Sequence, residues 1–304
     1  MKAEKNISSE KKSEHTLIVI AGATASGKTD LAIDIALKLN TEIISADARQ
    51  FYREMNIGTA KPSEGQLLKV PHHFINSLSI HDNYSAGKYR EDVLHLLNDL
   101  WKKNKTVVMV GGSGLFISAV INGFDEIPEV SEDAKQKVKK IFDAEGIFGL
   151  QKLLRQLDEK YFDEVDINNP QRMIRAVEIC VSSGQPFSSF RKGEGEEKKF
   201  SMKYFVLDVE REKLYARINK RVDEMMKAGL LAEAEKLFQF RNLLPLNTVG
   251  YKELFEHLEG KHSLEFAIEK IKQHTRNYAK RQLTWFRKVK EAEWKTGEEI
   301  IKKF

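Results

Sequence analysis

The eight residues Gly22, Ala23, Thr24, Ala25, Ser26, Gly27, Lys28 and Thr29 fit the pattern G-x-x-x-x-G-K-S/T. The two glycines let the backbone curl so that successive N–H groups converge on phosphate oxygens at the positive end of a helix. Lys28 adds a point charge, and the Thr29 hydroxyl is the expected Mg²⁺ ligand. The chemistry is a grip on a diphosphate or triphosphate. Such a loop does not say which phosphate ester it holds, and since most hold ATP or GTP, the default is a nucleotidase or a small-molecule kinase. One feature weakens that default. The apolar run TVVMV at 106–110 ends in Gly111-Gly112, where a Walker-B carboxylate is expected, leaving Asp47 as the best-placed acid near the loop. A carboxylate there has two uses: holding Mg²⁺ through water, or taking the proton of an attacking nucleophile.

These groups need a scaffold. The run TLIVIA at 16–21 is short, β-branched and closed by Gly22, which suits a buried parallel strand. Leu31, Ala32, Ile35, Ala36 and Leu39 then recur at helical spacing, so the glycine-rich turn lies between strand and helix. A second strand over 42–45 delivers Asp47 to its carboxyl end. Tyr89, Val93, Leu96, Leu97 and Leu100 mark an amphipathic helix ahead of a third strand at 106–110. This alternation predicts an α/β fold: a P-loop NTPase-like core with a mostly parallel, doubly wound sheet.

From Glu126 onward strand signals vanish. Ser131 followed by Glu132 and Asp133 reads as a helix N-cap with an acidic first turn, and Asn169-Pro170 starts another helix that Gly184 ends. The charged, glycine-bearing stretch at 191–199 reads as a linker. One more strand is predicted over 203–209, with helices to the C-terminus. The expected organisation is a core over 15–125 and 200–304, interrupted by an all-helical insertion over 126–199. Residues 1–14 are mostly charged or polar without an apolar h-region, so they read as a disordered tail rather than a signal peptide.

The 304 residues, 41% of them hydrophobic, suffice for about two domains. With 50 Lys+Arg against 45 Asp+Glu the net charge is +5, which is compatible with nucleic acid without demanding it. The single cysteine, Cys180, cannot form an intrachain disulfide and agrees with a reducing compartment. It shares a helical spacing with Ile174, Val177 and Val181, so core packing is its expected task. No apolar run reaches the ~18 residues of a membrane helix. A soluble, cytoplasmic protein is expected. His72-His73 has no cysteine or acidic partner at zinc-site spacing, which favours a structural role beside the cleft.

Several segments together resemble the tRNA dimethylallyltransferase (tRNA isopentenyltransferase) family. They are GATASGKT at 22–29, ISADARQ at 44–50, MNIGTAKP at 55–62, PHHFIN at 71–76, VGGSGLF at 110–116, NPQRMIRAVEI at 169–179, NTVGYKE at 247–253 and KRQLTWFRK at 280–288. The resemblance spans nearly the whole chain. It implies transfer of a dimethylallyl group from dimethylallyl diphosphate to N6 of adenine 37 beside a tRNA anticodon. The P-loop then holds a leaving diphosphate, and no nucleotide is hydrolysed. The resemblance also implies Asp47 as general base, Lys28 and Thr29 as diphosphate and Mg²⁺ ligands, and Ser113 as a contact of the reacting region. It implies tRNA-contacting segments at Asp47, Ala48, Arg49 and Gln50 and at Gln171, Arg172, Met173, Ile174 and Arg175. Two positions depart from the family: Ala48 stands for its usual serine and Ser113 for its usual threonine. The second keeps the hydroxyl; the first removes one.

The residues agree with this reading. An adenine amine is a poor nucleophile until a base accepts its proton, and a diphosphate leaves readily once cations neutralise it. Arg217 and Arg221, at i, i+4 spacing on a predicted helix, can close together over the diphosphate, the alternative being a solvated basic face. Arg172 and Arg175 are one turn apart, placed for phosphate or base contact. Between Lys270 and Lys290 a basic stripe including Lys280 and Arg281 is interleaved with Tyr278, Trp285 and Phe286. Alone it reads as a solvated face with core aromatics; beside the resemblance it reads as a tRNA backbone contact, with Trp285 a candidate core residue. An anticodon-loop base must be unstacked or extruded to react, so the insertion and the C-terminal helices are the candidates to hold the loop. A monomer is expected. Two other classes stay open on the residues: an ATP-dependent small-molecule kinase with Asp47 orienting a hydroxyl, and a nucleotide-switched RNA-binding module.

Overall fold

The computed structural model describes residues 14–191 and 200–304; the expected tail up to residue 13 and the expected linker from residue 192 to 199 lie outside the described residues, while Glu14 and Arg191, the end of one and the start of the other, lie within them. Two compact units divide the chain: one takes in the described residues of Met1–Ile121 and Lys198–Phe304, the other those of Asn122–Glu197.

The first unit is built on a six-stranded sheet. In chain order it contains β1 (Thr16–Ala21), α1 (Lys28–Lys38), β2 (Ile43–Ser45), α2 (Glu64–Leu67), β3 (His72–His73), α3 (Ala86–Leu100), β4 (Thr106–Gly111) and α4 (Gly114–Asn122). The second unit supplies α5 (Glu132–Leu157), α6 (Glu159–Glu164) and α7 (Pro170–Ser183). The chain then returns through β5 (Ser201–Leu207), α8 (Arg211–Lys227), α9 (Leu230–Leu237), α10 (Tyr251–Leu258), α11 (Leu264–Phe286), β6 (Ala292–Lys295) and α12 (Gly297–Ile301). Strand order is β3-β2-β4-β1-β5-β6, and every pairing is parallel.

Alternation across the sheet explains the burial of whole apolar runs. Leu17 and Val19 of β1 join Val107 and Met109 of β4 on one face, with α3, α4, α10 and α11 packed against them. Ile18 and Ile20 join Val108 and Val110 on the other, under α1 and Ile300 of α12. A sheet covered on both faces needs strands without polar alternation, as the sequence shows. The strand expected over 203–209 begins two residues earlier, at Ser201. The expectation of helices alone to the C-terminus fails at β6: the segment AEWK pairs with β5 from Tyr204↔Ala292 to Leu207↔Lys295.

The second unit is helical among its described residues. Ser131 and Asn169 accept hydrogen bonds from the backbone N–H of Ala134 and Arg172 as N-caps, and Gly184 closes α7 in the left-handed conformation. Gly146 breaks α5 with φ 62 and ψ −151, a backbone that only glycine adopts readily. Val138, Leu150, Leu154, Met173, Val177 and Cys180 form the core, so Cys180 is a packing residue.

Candidate active site

The site is assembled at the carboxyl ends of β1, β4 and β2, where open parallel sheets present their loops to ligands. After β1 the chain turns through Gly22 to Gly27, with Ala25 at φ 62 and Gly27 at φ 94. Gly27 serves as the N-cap of α1 in the left-handed conformation, which places Lys28 and Thr29 in its first turn. Ala23 and Ala25 are buried against Leu214 and Ile218 of α8 and Ala279 of α11, so their side chains anchor the loop while its backbone faces the cleft.

Lys28, Thr29, Asp47, Gln50, Lys61, His72 and Arg221 line a single cavity of about 230 Å³. Lys28 Nζ donates to the Ala23 carbonyl at 3.2 Å. Burial pushes the Lys28 ammonium down to about 8; Asp47 opposes the shift and Arg221 adds to it. Arg221 is likewise lowered by burial, against the pull of Glu224, Asp30 and Asp47. Two strained cations facing one cavity are a ready receptor for a polyanion, because a bound diphosphate supplies the charge each lacks.

The two arginines separate in use. Arg221 lines the cavity. Arg217, expected beside it over the diphosphate, donates from Nη1 to the Ser26 carbonyl at 3.2 Å and is not among the residues lining the cavity.

Asp47 follows β2 on a turn secured at both sides. Its Oδ1 accepts the Arg49 N–H at 3.1 Å, and its carbonyl accepts the Gln50 N–H at 3.1 Å. The Ala46 N–H donates to the Val110 carbonyl at 2.7 Å, and a Cβ on Gly111 would lie 2.1 Å from the Ala46 oxygen. Glycine is therefore required where a Walker-B acid would otherwise stand. Ser113 reaches across the same junction: its Oγ accepts the Ala48 N–H at 3.0 Å. Tyr278 of α11 lies beside these groups, its hydroxyl pushed up to about 12 by burial and by Asp47, with Arg49 and a hydrogen bond from Ser113 opposing.

The expected tRNA-contacting residues divide. Gln50 spends its amide inside the protein, donating from Nε2 to the carbonyls of Thr59 and Ala60 at 3.2 and 3.1 Å. Ala48 is partly buried against the core, and Arg49 is half-buried. In the second unit Gln171, Arg172 and Arg175 are exposed and line a cavity of about 380 Å³ with Tyr161, Asn169 and Phe187. Met173 is fully buried in that unit's core, so its side chain is withdrawn from the expected contacts, whereas Ile174 is half-buried against the same core and residues 172 and 175 face out. The stripe on α11 divides as well. Lys280 and Arg281 are exposed, whereas Lys272 pairs with Asp223 at 2.9 Å and Arg276 donates to Asn219 at 2.6 Å, both on α8. Trp285 is 39% exposed rather than core, lying against Gly114, where a Cβ would meet its ring at 2.2 Å. Phe286 holds the core position instead.

Sequence reasoning missed Gln282, Lys61 and Glu233. Gln282 is buried where the P-loop and the turn after β4 meet. Lys61 bonds the Tyr52 carbonyl at 2.7 Å and Asn56 Oδ1 at 2.9 Å, and burial pushes it down to about 8. Glu233 of α9 accepts the backbone N–H groups of Asn56, Ile57 and Gly58 at 2.9–3.0 Å and the Tyr251 hydroxyl at 2.6 Å, fixing the turn before Lys61. The motif segments at 55–62 and 247–253 contained the turn and Tyr251, but nothing in them indicated the partner. His72 Nδ1 donates to the Val70 carbonyl at 2.7 Å and His73 Nε2 lies 2.7 Å from Glu42, so the pair ties down the short edge strand.

No helix among the described residues is long and apolar enough to cross a membrane. A family model described as IPP transferase matches residues 50–289. The chain is 49% identical over 278 residues to a tRNA dimethylallyltransferase of Christiangramia forsetii, covering 91% of this chain and 92% of that one. It is 46% identical over 279 residues to tRNA dimethylallyltransferase 1 of Phocaeicola vulgatus, covering 92% and 93%. Among solved structures it is similar to the full-length tRNA isopentenylpyrophosphate transferase from Bacillus halodurans, with a TM-score of 0.70, 34% identity and coverage of 95% and 94%. It is also similar to a eukaryotic dimethylallyltransferase captured acting on tRNA, with a TM-score of 0.80, 25% identity and coverage of 93% of this chain and 74% of that one.

Proposed function

Since the chain belongs to the IPP transferase family, we propose that it transfers a dimethylallyl group from dimethylallyl diphosphate to N6 of adenine 37 in the tRNA anticodon loop. The products are N6-(dimethylallyl)adenosine and diphosphate. The observation that carries this reading is one cavity in which Lys28, Thr29 and Arg221 face the Asp47 carboxylate. The bond between the allylic carbon and the diphosphate oxygen breaks as the adenine nitrogen bonds to that carbon. Backbone N–H groups of the P-loop, with Lys28 and Arg221, take up the charge on the departing oxygens. Asp47 accepts the proton from the amine, and Ser113 holds the peptide that follows Asp47.

Mg²⁺ fits the donors present. Thr29 and Asp47 offer hard oxygens to the same cavity. That suits an ion that keeps several waters and leans on substrate phosphates. When bound it supplies further neutralisation of the leaving diphosphate.

The insertion unit, through Gln171, Arg172 and Arg175, and α11, through Lys280 and Arg281, are assigned to the anticodon stem-loop. The protein is read as a cytoplasmic monomer, a state that light scattering checks. The kinase reading is not favoured: β4 ends at Gly111, packed on Ala46, rather than at an acid, and the relatives are named tRNA dimethylallyltransferases. The test incubates the protein with Mg²⁺, unmodified tRNA and either ATP or dimethylallyl diphosphate, then weighs the tRNA nucleosides. An isoprenoid mass on adenosine is expected with the prenyl donor alone; its absence, or a preference for ATP at this pocket, sinks the proposal.

A further inference from the structure

Gln282 is a polar side chain on a basic helix, yet only 6% of it is exposed. Its Oε1 accepts the backbone N–H of Thr24 at 2.9 Å, and its Nε2 donates to the carbonyl of Gly112 at 2.9 Å. The amide orientation is fixed by chemistry, because a backbone N–H needs an acceptor and a carbonyl needs a donor. The bonds span 258 and 170 residues of sequence and meet in one planar group. The environment is shaped to admit it: a Cβ on Gly112 would lie 2.2 Å from Nε2.

What the amide joins gives it significance. Thr24 belongs to the P-loop, which positions the diphosphate. Gly112 precedes Ser113, whose hydroxyl takes the Ala48 N–H next to Asp47. A continuous path of hydrogen bonds and single peptide units therefore runs from the cradle of the leaving group, through Gln282, to the turn that carries the carboxylate. A displacement reaction is sensitive to the separation and alignment of its two ends, and a misplacement near 1 Å costs on the order of 100-fold in rate.

We infer that Gln282 is a positioning residue of the transfer reaction: its amide sets the spacing between the diphosphate cradle and the Asp47 turn, touching neither substrate. This rests on the transfer activity proposed above. Because it acts on relative placement and leaves the cradle's own donors in place, its removal should reduce kcat and spare diphosphate binding.

The test uses the full chain under steady-state conditions, with tRNA and dimethylallyl diphosphate in excess over enzyme, and wild type is measured beside every variant. Gln282→Met keeps the volume and removes both bonds. It is expected to lower kcat by roughly 10- to 100-fold, with KM for dimethylallyl diphosphate and the affinity for inorganic pyrophosphate each within about threefold of wild type. Gly112→Ala displaces the same amide from the other side, so its deficit should match, and the double variant should be no worse than either single one. Gln282→Glu keeps the variant informative if the methionine protein fails to fold. Its neutral carboxyl can accept from Thr24 and donate to Gly112 as the amide does, whereas its ionised form turns a negative oxygen on the Gly112 carbonyl. Burial raises the pKa of the introduced group. The ratio of Gln282→Glu to wild-type kcat should therefore approach one at low pH and fall as pH rises. A folded Gln282→Met with wild-type kcat, a loss confined to KM, or a pH-independent ratio for Gln282→Glu overturns the inference. If wild type itself transfers no prenyl group, the functional proposal has failed instead.

Discussion

The Ser113 hydroxyl oxygen accepts the backbone N–H of Ala48 at 3.0 Å, so the side chain at the end of β4 holds the peptide immediately after Asp47. The bond uses the main chain of residue 48. It is indifferent to Ala48 standing where the family usually has serine, and it needs the hydroxyl that Ser113 retains. Ser113→Ala leaves that N–H unsatisfied, a cost of ~1–3 kcal/mol. If that cost is felt at the reacting geometry, kcat falls about tenfold or more. Ser113→Thr should stay near wild type, and a kcat series at saturating substrates distinguishes the two.

Asp47→Asn removes the proposed proton acceptor while keeping its shape and its contact with the Arg49 N–H. Positioned acid–base groups contribute roughly 10²- to 10⁴-fold, so transfer should fall by that range while pyrophosphate affinity, read by calorimetry, is largely kept. Turnover at the wild-type rate would remove Asp47 from the base role.

Lys28, pushed down by burial to about 8 in the free protein, should make the proposed diphosphate binding pH-dependent. A bound diphosphate raises the ammonium's pKa, so its contribution to affinity is fully present below about 8 and is lost as pH rises from the free toward the bound value. Calorimetry at pH 8 in buffers of different ionisation enthalpy should detect net proton uptake on binding dimethylallyl diphosphate. Lys28→Met should abolish both the uptake and the alkaline loss of affinity.

Glu233→Ala strands three backbone donors of the 56–58 turn and the Tyr251 hydroxyl. The expected loss is about 2 kcal/mol in urea unfolding, with Glu233→Gln losing less because an amide oxygen still accepts. Equal stability of the alanine variant and wild type would show that the turn holds without its clamp.

In the insertion unit, exposed and buried residues of one helical turn should part company. Arg172→Ala and Arg175→Ala should leave melting unchanged, weaken tRNA binding, and each reduce the salt slope of that binding by about 1 if the arginine meets a phosphate. Met173→Ala should instead destabilise by about 2–5 kcal/mol through the cavity it leaves.

The sequence by itself determined what depends on near neighbours. The P-loop, the helix that begins at Lys28, the caps at Ser131, Asn169 and Gly184, and the apolar strands at 16–21 and 106–110 are each set by a few adjacent side chains and backbone propensities. Asp47 could be found because it follows a strand by two residues. The tertiary structure decided what depends on separation in sequence. β6 has four residues and none is β-branched, and pairing with the edge of β5 makes AEWK a strand. Arg217 and Arg221 share a helix face, yet the fold brings one to the Ser26 carbonyl and the other to the cavity. Gln282 sits among basic residues that face solvent, and nothing local reveals that its amide satisfies two loops 258 and 170 residues away. A backbone donor buried by folding must find an acceptor wherever the fold brings one, and that choice is made by the packed chain as a whole.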